Sequence, residues 1–182
     1  HYLYLIGLGY KLIDSYLQVF PENLESLLLN DKRFHFQQSD HYVLPRDSKY
    51  VLTDRGVRQY KSVKQDDQMV KNGNVLRANN GEGAPYHTNL LVKLLCLIAN
   101  KVATLDPSGV GVEMESDKPN WYDALNGLPG LLGSSISETV EIKRYAQFAL
   151  ESLKKLSIDD ASSVDVYEEL ATFLDGLTNL LS

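Results

Sequence analysis

The sequence predicts a mainly α domain with a few short strands. Apolar residues recur at helical intervals in several long segments, and one central segment is apolar on nearly every side. Ser135 and Glu138 have the spacing of a capping box, which marks the start of a helix. The chain has 182 residues, of which 43% are hydrophobic and 23% are charged, so it is long enough to bury one core. We therefore treat residues 1–182 as a single domain.

The first half of the chain begins with two predicted helices. Residues 3–20 are rich in apolar side chains, with polar residues at helical intervals. Pro21 suits the first position of a second, short helix over residues 22–29. The polar stretch 30–42 is typical of a connection, and residues 50–59 have the composition of short strands.

The second half of the chain predicts three further helices. Residues 88–105 are apolar on most sides, which predicts a helix buried between other elements. A weak alternation over 110–114 predicts a short strand, and the Gly-rich residues 127–133 predict a loop. The capping box opens a helix over about 135–156. A second polar start signal predicts a final helix over about 162–180.

The charge balance excludes some classes of protein. Lys and Arg total 18 against 24 Asp and Glu, so the net charge is −6, and a nucleic-acid partner is not expected. A single cysteine, Cys96, excludes a disulfide framework and a multi-thiolate zinc site, and its apolar neighbours predict a buried, inert thiol. The four histidines lack metal-ligand spacing, so no metal is expected.

The ends and the hydropathy of the chain predict its location. The sequence begins with His1 and has no basic region followed by an apolar stretch, so we expect no signal peptide. The apolar stretch 90–98 contains Lys93 and is too short to span a bilayer. We therefore expect a cytoplasmic protein without a membrane partner. The missing initiator Met indicates a processed chain or a piece of a larger one.

Residues 113–130 have the composition of a sugar-binding site. Aromatic rings stack on pyranose rings, amides and carboxylates bind hydroxyls, and a carboxylic acid can protonate a glycosidic oxygen. The segment supplies these groups as Glu113, Glu115, Asp117, Asn120, Trp121, Tyr122, Asp123 and Asn126. The alternative is structural: the acids cap helices and Trp121 fills the core. Composition alone leaves both interpretations open.

The order of residues in this segment resembles a known motif. Trp121-Tyr122-Asp123-Ala124-Leu125-Asn126-Gly127 is similar to the general-acid motif Gly-Asp-Trp-Asn-Asp-Gly-Met-Asn of cellobiose-phosphorylase-like enzymes, glycoside hydrolase family 94. The resemblance implies an (α/α)6 toroid, of which this chain would form about half. It implies that Asp123 is the general acid and that Trp121 and Asn126 shape the sugar site. Asn120 and Tyr122 stand where the family motif has an Asp and an Asn. An amide binds sugar hydroxyls more weakly than a carboxylate does, so the identity of the substrate stays open.

The resemblance also implies partners. The expected reaction is inverting phosphorolysis of an oligosaccharide or disaccharide, with inorganic phosphate as co-substrate and no cofactor. An inverting hydrolase, with a base among Glu82, Glu113 and Glu115, is the first alternative. There are two further alternatives. One is a glycan-binding or scaffold domain without catalysis, and the other is an unrelated helical interaction domain. Half a toroid would expose an apolar edge, so we expect a homo-oligomer or the remainder of a larger chain to cover it.

A second polar loop, residues 77–89, precedes the central helix. Its glycines allow close approach to a ligand, and Arg77 and His87 are candidates to bind an anion or a sugar hydroxyl. We expect these two residues to join Glu113 and Glu115 in binding substrate. The alternative is that residues 79–81 form a tight turn and that Thr88 caps the next helix.

Overall fold

The computed structural model describes residues 2–59, 62–66, 74–106, 108–114, 134–159 and 161–182. Within these ranges helices hold more residues than strands, which confirms the mainly α prediction. The α-helices are α1 (Tyr2–Val19), α2 (Arg46–Lys49), α3 (Leu90–Ala103), α4 (Ile136–Lys155) and α5 (Glu168–Leu181). Two 3₁₀ turns (Pro21–Asn23 and Asn79–Gly81) and a π-helical turn (Ser26–Asn30) complete the helical part.

Every strand is short and lies in a two-stranded antiparallel ladder. The strands are β1 (Phe34–His35), β2 (His41–Val43), β3 (Tyr50–Thr53), β4 (Gly56–Gln59), β5 (Val63–Gln65), β6 (His87–Thr88), β7 (Val112–Glu113) and β8 (Ser134–Ser135). The ladders pair β1 with β6, β2 with β5, β3 with β4, and β7 with β8. The β3–β4 hairpin confirms the strands predicted over residues 50–59. The other pairings join segments far apart in the sequence.

Three of the predicted helices have nearly the predicted bounds, and the other two differ. The helix expected over 22–29 is instead a 3₁₀ turn followed by a π-helical turn. The last helix begins at Glu168, not near Ser162. In the segment before it, Asp159 accepts hydrogen bonds from the Ala161 amide (3.1 Å) and the Ser162 hydroxyl (2.9 Å). Local side-chain hydrogen bonds of this kind compete with helix formation.

The core lies where α1, α3 and α4 meet. Leu91 and Leu94 of α3 pack with Tyr145 and Ala149 of α4 in one buried cluster. Tyr10 of α1 places its ring edge against Tyr145, with the ring centroids 5.6 Å apart. Because α3 is apolar on most sides, it also has surface to pack against α5.

Helices α3 and α4 form an antiparallel hairpin. Residues near the start of α3 share the core cluster with residues in the second half of α4. At the other end, Lys101 Nζ lies 2.6 Å from Glu138 Oε1, with both side chains less than a tenth exposed. Ser135 caps α4 by accepting a hydrogen bond from the Glu138 amide (3.3 Å), as the capping-box spacing predicts. The connection between the two helices therefore begins and ends at the same end of the hairpin.

A long β arm runs beside α3. The arm, residues 34–59, 62–66 and 74–88, contains β1 to β6. Its base lies at the start of α3, where β1 pairs with β6 and Lys93 donates a hydrogen bond to the His35 carbonyl (2.7 Å). Farther along, Arg46 donates to the carbonyl of Leu105, which follows the end of α3 (3.1 Å). The arm therefore contacts both ends of α3.

Candidate functional site

The ends of the segment that carries the sugar-binding motif lie side by side. We call residues 114–133 the motif segment. Just before it, Glu113 pairs with Ser134, which lies just after it, and Val112 pairs with Ser135. The Glu113 amide also donates to the carbonyl of Thr104 at the end of α3 (2.8 Å). The motif segment therefore leaves from and returns to one short ladder between α3 and α4.

Hydrogen bonds to the Asp106 carboxylate stabilise this ladder. It accepts hydrogen bonds from the Ser134 hydroxyl (2.7 Å), the Gly111 amide (2.7 Å) and the Ser108 amide (2.8 Å). The Ser134 hydrogen bond first, and then the backbone amides, lower the pKa of Asp106 to about 2. Asp106 thus links the turn after α3 to the residue at which the chain returns from the motif segment.

Gly111 allows this turn to lie close to α4. A Cβ at this position would lie 2.9 Å from Thr139 Oγ1 and 3.2 Å from the Ser134 Cβ. Thr139 Oγ1 accepts a hydrogen bond from the Val112 amide (3.0 Å) and donates one to the Ser135 carbonyl (2.7 Å). A larger residue would therefore disturb the hydrogen bonds that join β7 to α4.

Glu113 lies in a buried ion-pair cluster. Its Oε2 lies 3.0 Å from Arg46 Nη2 and 3.3 Å from Lys49 Nζ, and the Tyr50 hydroxyl donates to Oε1. The side chains of Glu113 and Lys49 are 2% and 5% exposed, whereas Arg46 is 42% exposed. We call these four residues the Glu113 cluster. Both oxygens of Glu113 are engaged, so the structure favours an anchoring role for it over the sugar contact expected from the sequence.

Arg77 lies at the edge of the tight turn predicted over 79–81, and the turn is present. Asn79 and Gly81 have positive φ angles of 50° and 97°. Arg77 Nη1 donates to the Gly83 carbonyl (2.9 Å), and its buried Nε has no hydrogen-bond partner in the described part of the chain. Arg77 thus closes the turn, and the guanidinium retains donor capacity.

His87 is exposed and lies in β6, directly opposite His35. The two imidazole rings meet edge to face, with centroids 6.4 Å apart. The cap of α3 is Asn89, whose side chain accepts a hydrogen bond from the Val92 amide (3.0 Å), and not Thr88. His87 therefore lies just before the N-terminus of α3.

His87 and Glu113, two residues expected to share one site, lie at opposite ends of α3. His87 precedes the first residue of this helix, and Glu113 contacts residues that follow its last turn. A helix of 14 residues is about 21 Å long. His87 and Glu113 therefore cannot contact one monosaccharide.

The remaining candidate residues lie outside the described residues. They are Glu115, Asn120, Trp121, Tyr122, Asp123 and Asn126. Their assignments stay predictions from the sequence.

Four residues that organise this region were not singled out from the sequence. Asp106 had a local signal, because Asp-Pro-Ser-Gly is a typical turn sequence. Arg46, Lys49 and Tyr50 had none, since only the folded arm brings them to Glu113.

Cys96 is half-buried, and the Tyr167 hydroxyl contacts its sulfur at 3.3 Å.

Comparisons with known proteins give no relative. No protein-family model, no curated protein and no solved structure matches this chain. Among the described residues, no group of three or more His, Cys, Asp or Glu side chains is arranged to hold a metal ion. In the same part of the chain, no helix has both the length and the apolar character to cross a bilayer.

Proposed function

We propose that this chain is the part of a carbohydrate-active enzyme that carries the general acid for inverting phosphorolysis. The proposal rests on one observation, which combines the sequence motif with the contacts at the ends of the segment that contains it. The Trp121-Tyr122-Asp123 motif, with Asn126, belongs to a connection whose ends are joined by a ladder and by Asp106. The Glu113 cluster fixes the first of these ends to the arm. In the proposed enzyme, α3 and α4 are one hairpin of an (α/α)6 toroid.

The anchored ends support a catalytic role for the motif segment. A general acid works only within about 2.6–3.2 Å of the oxygen that it protonates. Catalytic groups are held most accurately when rigid elements and their hydrogen bonds support them. Joining the ends of a long segment costs chain entropy, which the ladder and its polar contacts offset. These contacts resemble the support that a catalytic loop requires.

The proposed reaction uses one protein carboxyl group. Asp123, protonated, donates its proton to the glycosidic oxygen as the bond from that oxygen to the anomeric carbon breaks. An oxygen of inorganic phosphate attacks the anomeric carbon from the opposite face, and the products are a sugar 1-phosphate and a shortened glycan. Trp121 stacks on a sugar ring, while Asn120, Tyr122 and Asn126 bind hydroxyls.

The geometry of Glu113 separates this reaction from the hydrolytic alternative. An inverting hydrolase needs a second carboxylate, about 6.5–9.5 Å from the acid, to activate water. Glu113 is buried and paired with two cations, so it has little access to a water molecule. A hydrolytic base would then be Glu82 or Glu115, whereas phosphorolysis needs none.

The proposed toroid also accounts for an apolar groove on α5. This groove has a volume of about 710 Å³ and contains Phe173, Leu177 and Leu180. In the proposed enzyme, further helices of a longer chain, or a second copy, pack on it.

The test is an activity assay with a matched control. Chain 1–182, and the longest natural polypeptide that contains it, are incubated with β-linked gluco-oligosaccharides, with and without inorganic phosphate. We expect sugar 1-phosphate only with phosphate, and a 10²- to 10⁴-fold lower rate for Asp123→Asn, in line with the usual contribution of a general acid, about 10²–10⁴. Asp54→Asn makes the same change at an exposed position outside the motif segment and should keep the rate.

The other outcomes identify the alternatives. Sugar release that does not depend on phosphate, and that Asp123→Asn abolishes, identifies a hydrolase. Oligosaccharide binding without turnover in either polypeptide identifies a glycan-binding domain. Equal rates for Asp123→Asn and Asp54→Asn overturn the assignment of the acid.

A further inference from the structure

A polar cleft lies at the end of α3 opposite to the β7–β8 ladder. Its volume is about 500 Å³, within the range of about 300–1,000 Å³ typical of small-molecule sites. Residues 29–32 form one wall, residues 86–89 form the floor, and residues 158 and 162–165 form the other wall. Because Asn89 belongs to its floor, we call it the Asn89 cleft.

The floor of the Asn89 cleft is held firmly. The Asn89 side chain accepts a hydrogen bond from the Val92 amide (3.0 Å) and donates one to the Leu29 carbonyl (3.0 Å). Asn89 and Thr88 are less than a tenth exposed. Tyr86 packs its ring against that of Tyr167, with centroids 5.3 Å apart. A ligand would therefore meet a floor that needs little rearrangement.

The walls and floor of the cleft carry polar side chains that have hydrogen-bonding capacity left for a ligand. Each is exposed, and none makes a side-chain hydrogen bond or ion pair to the described part of the chain. They are Asn30, Lys32, His87, Ser163 and Asp165. They come from three separate segments and include donors, acceptors, one cation and one anion.

This set of groups discriminates between classes of ligand. An apolar ligand would displace water from these groups and leave them without hydrogen bonds, which disfavours its binding. A dianion such as phosphate would face Asp165 in a chain of net charge −6. A neutral ligand with many hydroxyls both donates and accepts, and Tyr86 supplies an aromatic group at the floor.

We infer that the Asn89 cleft is a second carbohydrate-binding site, for a neutral mono- or disaccharide unit. The choice of ligand class rests on the proposed function. The cleft lies about 21 Å from the ends of the motif segment, at the other end of α3. In this inference the cleft holds a remote part of a glycan, or a separate sugar. Binding energy from such remote contacts can support turnover at the reacting bond.

Histidine resonances of the full chain give the test. The Asp123→Asn variant, which keeps the cleft, is titrated with glucose, cellobiose and cellotetraose while the imidazole signals are followed by NMR. We expect saturable shifts of the His87 ring signals. His41 pairs with Asp40 and does not line the cleft, so its signals should not move.

Two pairs of variants locate the binding. His87→Ala and Asp165→Asn each remove one contact and should raise the dissociation constant about tenfold. His41→Ala and Asp175→Asn make the same changes at exposed positions outside the cleft and should leave it unchanged. All four variants should keep the circular dichroism spectrum of the parent.

The outcomes separate this inference from the proposed function. Saturable shifts at His87 that both cleft variants weaken support the site, whether or not the chain catalyses a reaction. Binding that only Trp121→Ala removes, binding of inorganic phosphate alone, or no saturable shift with any sugar overturns it. Turnover that Asp123→Asn abolishes, without shifts at His87, would refute the cleft and leave the proposed function intact.

Discussion

Neutralising Glu113 should destabilise the protein more than neutralising an exposed carboxylate. Glu113→Gln keeps the size of the side chain and one acceptor oxygen but removes the charge. Arg46, at 42% exposed, can turn toward water, whereas Lys49, at 5% exposed, cannot without moving the arm. The variant therefore leaves a buried ammonium group with a weaker partner.

The magnitude follows from the burial of this pair. Removing one partner of a buried ion pair costs about 3–5 kcal/mol, and the remaining amide oxygen favours the lower end of that range. For a chain of this size each kcal/mol lowers Tm by about 2–4 °C, so we expect a decrease of about 6–12 °C. Glu151→Gln makes the same change at an exposed position of α4 and should stay within about 0.5 kcal/mol.

Thermal unfolding at neutral pH is the assay, with a double variant as the internal check. Glu113→Leu combined with Lys49→Met replaces the buried charges with apolar groups of similar size. Such replacements are often neutral or stabilising, so the double variant should recover most of the loss. Equal melting temperatures for Glu113→Gln and Glu151→Gln would refute the reasoning. A double variant no more stable than Glu113→Gln would show that shape, and not charge, decides the stability of this cluster.

Two further predictions concern the same end of the hairpin. The folded pKa of Asp106, about 2, lies below its ordinary 3.8, so its stabilisation is present above pH 3.8 and is lost as the pH falls through 2. The Tm of Asp106→Asn should therefore lie furthest below that of the parent at pH 7, and the difference should shrink toward pH 2. A difference that does not change with pH would contradict this prediction. Lys101→Met leaves the Glu138 carboxylate buried and should cost about 3–5 kcal/mol in urea unfolding. Adding Glu138→Leu should restore most of that stability, and a further loss would contradict the account.

Local signals in the sequence predicted the helices well. Residues 135–156 were predicted and Ile136–Lys155 is observed, because the Ser135 cap is a contact between residues three apart. The apolar run predicted α3 to within two residues at each end, because its pattern depends only on burial. The start of α5 was predicted too early, because the Ser162 hydroxyl donates a hydrogen bond to the Asp159 carboxylate in a turn before the helix.

Contacts between distant residues gave no such signal. The ladders of β1 with β6 and of β2 with β5 join strands that are individually too short for a periodic pattern. Glu113 has the residue type of a sugar ligand, and nothing near it in the sequence indicates that two cations of the arm will bury it. The sequence therefore predicted which segments are rich in polar side chains. It did not predict that His87 and Glu113 lie at opposite ends of α3.

The manner in which the arm is attached explains why polar contacts matter in this fold. Apolar residues of the arm such as Val43, Leu52 and Val57 are exposed, so they add little burial against the helices. Lys49 and Ser62, in contrast, are almost fully buried. Besides Phe34, which packs against the core, directed contacts join the arm to the helical part, at Lys93 near one end of α3 and at Glu113 near the other. Charge-assisted contacts impose a definite geometry, whereas apolar contacts tolerate repacking. In the proposed enzyme, contacts of the first kind hold the ends of the catalytic connection in place, and the Glu113 cluster supplies one at the residue just before the motif segment.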